Sequence, residues 1–290
     1  MYQARNIQRL AKEISELIQD DLSRVGIFYR IFHRCKEETS VTKKILSKGY
    51  DGETKFLRDV IGVRINLYFI DDLQIVFDHL QMKYKNDFVE MTIDKKNATE
   101  FKPTRINLIY RIPKKYLKEF TDLVTEKEID KTYEIQLRTI LSEGWHEVDH
   151  DMRYKCPDDW VSHSDLSRYF NGILASLETS DLSILNLFDQ ISYRHYKAGN
   201  WKAMLRTKLR LRMTESEQIQ KLDLSISGSN EIQKQLFKFD RKDFLKRLLS
   251  ENYKFPFSYS NLIYVINSFY LNYDEINQLS PKDIGSAFKA

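Results

Sequence analysis

Residues 132–155, TYEIQLRTILSEGWHEVDHDMRYK, carry chemistry-bearing side chains on two kinds of spacing. The first half reads as a buried strand in which one carboxylate, Glu134, stands among apolar residues. The second half switches to helical spacing, which sets Trp145, Asp149 and His150 within a turn of one another. An acid carried to the end of a strand, with a polar-faced helix directly after it, is one way to build a nucleotide site. The same stretch contains His146-Glu147-Val148-Asp149-His150, the HExxH spacing in which two histidines bind zinc and the glutamate acts as general base. Such a site needs a third ligand. Only Glu178 and His195 stand downstream as candidates, so a zinc protease is disfavoured.

Upstream, His33-Arg34-Cys35-Lys36, then Ser40, then Lys43-Lys44 gather cations and a hydroxyl at a strand-to-helix junction, which suits a polyphosphate. Lysines act as point charges on phosphate, while the arginine plane also stacks on a base. In Arg58-Asp59-Val60-Ile61-Gly62-Val63-Arg64 an acid opens a hydrophobic strand, Gly62 permits close approach to the backbone, and Arg64 projects from within the strand. Asp59 and Glu134 are thus carboxylates on separate strands of one expected sheet, an arrangement that holds magnesium together with substrate phosphates. The competing reading has Asp59 capping a turn and Arg64 paired with Glu134 in the core. Cys35 is expected to be inert, since its neighbours Arg34 and Lys36 face the other way on a strand.

The elements that must position these groups follow from periodicity. Ile7, Leu10, Ile14, Leu17 and Ile18 form a helical stripe within residues 4–23. Strands are expected at 28–35, 60–69, 106–112 and 133–138, and helices at 40–47, 71–84, 114–125 and 139–152. Asp71 or Asp72 is the expected cap of the second helix in that series, and Pro113 opens the third. After Pro157 the chain is helical in pattern, with a polar break at 225–230. Residues 1–157 therefore read as an α/β catalytic domain and 158–290 as a helical extension.

A chain of 290 residues has room for about two domains. With 42% hydrophobic and 30% charged residues, and no apolar run near the ~20 residues of a membrane span, it reads as globular and not membrane-bound. The N-terminus is amphipathic and lacks the apolar core of a signal peptide, and only two cysteines occur, so a reducing cytoplasm is the expected location. The net charge of +4 is mild, but Lys and Arg concentrate at 30–48 and again in WKAMLRTKLRLR, residues 201–212. Either cluster could meet phosphates, and a solvated helical face is the plainer reading of the second.

Taken together, HRCKEETSVTKK, RDVIGVRI and YEIQLRT followed by W-x-x-x-D-H-x-x-x-Y-K resemble the synthetase domain of the RelA/SpoT family, most closely its small alarmone synthetases. The resemblance spans roughly residues 25–156 in order and spacing. It implies an α+β fold, a mixed β-sheet flanked by helices and related to nucleotidyltransferases, to which the helical pattern after Pro157 adds an all-helical C-terminal extension. It also implies transfer of the β,γ-pyrophosphate of ATP to the 3′-hydroxyl of GDP or GTP, giving (p)ppGpp. On that resemblance Arg34 and Arg64 sandwich the adenine, Lys36 and Lys44 bind the phosphates, with Ser40 between them, and Asp59 coordinates magnesium. Glu134 shares the metal or takes the proton of the attacking hydroxyl, and Gln136 and Arg138 position the acceptor, as do Asp149 and His150 on the following helix.

The acceptor side departs from the family. Its loop, roughly G-Y-x-S-x-H with a tyrosine that stacks on guanine, is here Lys102-Pro103-Thr104-Arg105-Ile106-Asn107. Pro103 stands in place of the tyrosine and Asn107 in place of the histidine, while Glu143 replaces an asparagine that faces the acceptor. Lys102, Arg105, Asn107 and Glu143 are therefore the expected acceptor contacts. Two alternatives follow: a toxin-type synthetase that pyrophosphorylates the tRNA 3′ end or an adenine nucleotide, and a binding protein that kept the ATP pocket and lost transfer. The extension leaves open regulation, homo-oligomerisation or docking of a neutralising protein.

Overall fold

The computed structural model describes residues 4–24, 26–93, 106–214, 220–251 and 253–287. By contact it divides into two compact units, one holding residues up to 20 and 29–181, the other 21–28 and 182 onward.

In the first unit the elements run α1 (Ala4–Ser23), β1 (Tyr29–Cys35), α2 (Glu38–Lys48), β2 (Ile61–Leu67), α3 (Asp72–Lys83), β3 (Phe88–Ile93), β4 (Ile106–Arg111), α4 (Lys114–Leu123), β5 (Thr132–Thr139), α5 (Ile140–Asp149) and the start of α6 (Ser164–Lys197). The strands form one sheet in the order β1-β2-β5-β4-β3, with β2 and β5 parallel and every other neighbour antiparallel. This is the expected α+β mixed sheet flanked by helices. Strand β3 was not expected from the sequence. FVEMTI is half-exposed or exposed throughout, so it shows no apolar periodicity, and it is held as an edge strand by pairing with β4 alone.

Period-two alternation gives the sheet two unlike faces. Val63, Ile65, Ile135, Leu137, Leu108 and Tyr110 lie fully buried on one of them. Each such aliphatic side chain contributes about 1.5–3 kcal/mol of burial. Helix α1 runs antiparallel to β1 on this side: Gln8 Oε1 accepts from the Cys35 amide at 2.9 Å, Ser15 Oγ meets His33 Nδ1 at 3.3 Å, and the Tyr29 hydroxyl donates to the Gln19 carbonyl at 3.2 Å. Its stripe of Ile7, Leu10, Ile14 and Ile18 is buried, as its spacing requires. Helix α3 begins after Asp71, whose side chain makes no cap hydrogen bond, so the expected cap is not formed there.

The opposite face carries Arg30, Phe32 and Arg34 on β1, Gly62, Arg64 and Asn66 on β2, Glu134, Gln136 and Arg138 on β5, and Asn107 on β4. Their register rows are Arg34–Gly62–Glu134, Phe32–Arg64–Gln136–Asn107 and Arg30–Asn66–Arg138. Helix α5 starts directly after β5, with the Thr139 hydroxyl accepting from the Ser142 amide at 3.2 Å. Trp145 of α5 stacks on Phe170 of α6 at 4.8 Å and donates to its carbonyl at 2.9 Å, and Thr139 donates to Asp181 at 2.6 Å. These contacts keep residues 164–181 with the first unit.

The second unit contains the end of α6 and helices α7 (Trp201–Leu209), α8 (Gln220–Ser227), α9 (Asn230–Lys238), α10 (Arg241–Ser250), α11 (Tyr259–Ile266), α12 (Asp274–Leu279) and α13 (Lys282–Ala287). The expected polar break at 225–230 shrinks to Gly228-Ser229, with α8 continuing to Ser227 and Ser229 capping α9 by accepting from the Ile232 amide at 3.3 Å. The basic segment 201–212 is only in part the solvated face its charge suggested: Arg206 and Arg212 are exposed, and the other cations are taken up by the fold. Lys202 pairs with Asp223 at 2.6 Å, Arg210 is buried, and the Lys208 ammonium donates to the Phe237 carbonyl at 2.6 Å between the Phe237 and Phe239 rings. Burial lowers the Lys208 pKa to about 8. No helix among the described residues is long and apolar enough to cross a membrane.

Candidate active site

Asp59 sits two residues before β2 and anchors the charged end of the polar face. Lys44, on α2, donates to its Oδ2 at 2.7 Å, and the Lys36 ammonium lies 3.2 Å from the same oxygen. Asp59 therefore neither caps a turn nor stands open. Its other oxygen, Oδ1, is buried with no hydrogen-bond partner among the described residues. Burial pushes the Asp59 carboxyl up, but the two ammonium groups outweigh it and hold it below the usual carboxylate range. Lys36 moves down in turn, through burial first, with Asp59 opposing.

Glu134 behaves in the opposite way. Burial and the neighbouring Asp59 charge raise its pKa, against a hydrogen bond of 2.7 Å from Gln136 Nε2. Two carboxylates whose proton affinities are driven apart divide naturally into a permanent anion and a proton acceptor. The donor chemistry fits a hard divalent cation: Asp59 offers an unused buried oxygen, and Glu134 offers a second carboxylate whose one hydrogen bond among the described residues comes from the neutral amide of Gln136. No cluster of three or more His, Cys, Asp or Glu able to hold a metal occurs among the described residues, so phosphate oxygens would have to complete the coordination.

Arg34 lies across Gly62. A methyl group added at Gly62 would make ordinary contact with Arg34 Cγ at 3.5 Å and Nε at 3.6 Å, so the Arg34 side chain lies over this position without requiring a glycine there. Arg64 is engaged elsewhere. Its Nη1 donates to Glu143 and to Glu147 of α5, and its Nε donates to Gln136 Oε1 at 3.2 Å. Arg138 Nη1 donates to the other Glu143 oxygen at 2.6 Å, and Nη2 to Gln136 Oε1 at 3.4 Å. Gln136 thus ties Glu134 to both arginines, and Arg64 pairs with the α5 carboxylates rather than with Glu134.

The remaining expected residues separate. Ser40 is exposed on α2, one turn before Lys44. Asn107 is in the same row as Gln136 and Arg64, and its Oδ1 is buried without a hydrogen bond among the described residues. Lys102 and Arg105 lie outside the described residues. Asp149 holds Arg153 at 2.6 Å, and Arg153 in turn covers the Trp145 and Phe170 rings, so Asp149 supports the packing of α5 on α6. His150 is half-buried, 2.9 Å from Asp151 and stacked on Tyr154. His146 is buried against Trp145, which puts the two histidines of the HExxH spacing in unlike surroundings. Sequence reasoning did not single out Phe32, and it named Glu147 only as the glutamate of the HExxH spacing, not as a partner of Arg64. The signal for Phe32 was an aromatic two residues from an arginine on either side, and that for Glu147 was its helical spacing from Glu143.

A family model described as a region found in RelA/SpoT proteins matches residues 33–159, which take in the lysines, both carboxylates and α5. Among solved structures, this chain is similar to small alarmone synthetase 2 from Bacillus subtilis, at 20% identity and a TM-score of 0.47, over 63% of this chain and 96% of that one. It is also similar to small alarmone synthetase 1 from the same organism, at 18% and 0.46, over 63% and 94%. A GTP pyrophosphokinase family protein from Streptococcus pneumoniae is similar at 18% and 0.46, over 69% and 93%. No curated protein matches the chain.

Proposed function

We propose that the RelA/SpoT region is a pyrophosphokinase that moves the β,γ-pyrophosphate of ATP onto the 3′-hydroxyl of an acceptor nucleotide. The observation that carries this reading is the grouping of Lys36, Lys44, Asp59 and Glu134, with the two carboxylates shifted in opposite directions. The acceptor 3′-oxygen attacks the β-phosphorus, the bond from that phosphorus to the oxygen bridging the α-phosphate breaks, and AMP leaves. Glu134, raised toward a useful base strength by burial, receives the hydroxyl proton. Lys36 and Lys44 exchange their carboxylate partner for phosphate oxygens and stabilise the charge that develops there. Magnesium held by Asp59 and Glu134 would neutralise the polyphosphate and help align it for in-line attack. Arg34 offers its plane to the donor base.

GDP or GTP is the default acceptor in this reading, which makes (p)ppGpp the product and the cytoplasm the place of action. A second acceptor class, the tRNA 3′ end or an adenine nucleotide, is favoured by Asn107 and Pro103 standing where the family has a histidine and a guanine-stacking tyrosine. The buried, unpartnered Asn107 Oδ1 can accept an N–H from a base. The basic segment 201–212 lends this no support, because its lysines and Arg210 are satisfied inside the second unit. An inactive nucleotide-binding protein is disfavoured because both carboxylates are present and set apart in proton affinity.

The deciding experiment supplies ATP labelled on the γ-phosphate and magnesium, with GDP, GTP, ATP and deacylated tRNA as parallel acceptors. Label on a guanine nucleotide supports the alarmone reading. Label on tRNA or an adenine nucleotide establishes the second class. No transfer to any acceptor, with ATP bound, would leave a binding protein and sink the enzyme reading.

A further inference from the structure

We infer that Phe32 is the second stacking surface for the donor base, facing Arg34 across the purine, an inference that rests on the ATP-donor reading above. Phe32 is 55% exposed, and its ring makes no aromatic or cation contact among the described residues. A single exposed apolar side chain is ordinary. This one, however, is on the same face as Arg34, Gly62 and Glu134, in the register row of Arg64 and Gln136, on the strand that ends the sheet among the described residues.

Three geometric facts give it a ligand. First, the phosphate-binding lysines fix where a nucleotide starts. Lys36 follows β1, and positions along a strand advance about 3.3 Å per residue, so Arg34 and Phe32 lie about 7 and 13 Å from Lys36 along β1, within the length of a nucleotide whose phosphates meet Lys36. Second, alternate residues on one strand face are about 6.6 Å apart, close to the two van der Waals gaps of about 3.5 Å that a sandwiched planar base requires. Third, the other arginines on this face do not flank that gap: Arg64 is turned toward β5 and α5 by Gln136, Glu143 and Glu147, Arg138 is held by Glu143, and Arg30 lies two residues beyond Phe32 on β1. That leaves Phe32 and Arg34 as the planar groups flanking the gap over Gly62.

The test measures ATP and inorganic pyrophosphate binding to the full chain by titration calorimetry, for the wild type, Phe32→Ala and Phe32→Trp. Base–aromatic stacking is worth about 1–3 kcal/mol per base, so Phe32→Ala is expected to weaken ATP binding about 5- to 150-fold. Pyrophosphate, which has no base, should bind with unchanged affinity. Phe32→Trp should retain ATP affinity, and the emission of the introduced tryptophan should be quenched by ATP and not by pyrophosphate. Equal ATP affinity in the wild type and Phe32→Ala would overturn the inference and leave the transferase reading standing. Parallel loss of ATP and pyrophosphate binding, or no quenching of the introduced tryptophan, would also overturn it. Absence of ATP binding to the wild type would remove both.

Discussion

Asp59 gives one carboxylate oxygen to Lys44 at 2.7 Å and keeps the other buried without a hydrogen bond among the described residues. One oxygen thus restrains Lys36 and Lys44, while the other is left for the metal of the proposed reaction. Asp59→Asn should separate those roles. Metal-assisted charge stabilisation of several kcal/mol corresponds to about a 100-fold or greater loss of transfer. ATP binding measured in a chelator should hold or tighten, because Lys36 and Lys44 lose the carboxylate that competes with phosphate. Wild-type transfer by Asp59→Asn would reject the metal role.

Glu134 should reveal itself through opposing effects on activity and stability. Its pKa in the folded protein is raised by burial and by Asp59, so its contribution to stability is full in acid and is lost as pH rises through that raised value. Glu134→Gln removes the buried charge. Without metal, thermal melts should show the variant more stable than the wild type at pH 8, with the difference closing toward pH 4, where both side chains are neutral. Transfer should fall about 100-fold or more, as for loss of a general base. A variant less stable than the wild type at pH 8 would contradict the assigned direction.

The two α5 carboxylates that bind Arg64 should differ in weight. Glu143 is 11% exposed in its side chain and serves both Arg64 and Arg138, whereas Glu147 is 53% exposed. Removing one partner of a buried pair costs about 3–5 kcal/mol, and an exposed pair contributes about 0–1 kcal/mol. Urea unfolding should therefore show Glu143→Gln strongly destabilised and Glu147→Gln nearly unchanged. Similar values for the two would mean that Glu143 is not the keystone of the network.

The local pattern was largely legible. VIGVRINLYF and YEIQLRT are strands because β-branched and apolar residues alternate or run together, and α1 is a helix because its isoleucines and leucines recur on one side. Strand β3 was not, since FVEMTI gains its structure from the backbone of β4 and buries little of its own surface. The basic segment 201–212 read as a surface because composition records charge and not the Phe237 carbonyl, the aromatic rings and Asp223 that take it up.

The sequence by itself determined which residue types were available for phosphate and metal chemistry, and the strands and helices that carry them, because propensity and periodicity are short-range properties. Only the tertiary structure decided how those side chains are spent. Register across β1, β2 and β5 places Arg34 over Gly62 beside Glu134, and the docking of α5 on the sheet commits Arg64 to Glu143 and Glu147. Such choices depend on distances between residues far apart in the chain, which no local pattern encodes. A cation's partner, a carboxylate's proton affinity and the exposure of Phe32 exist only once the strands are aligned and the water is gone.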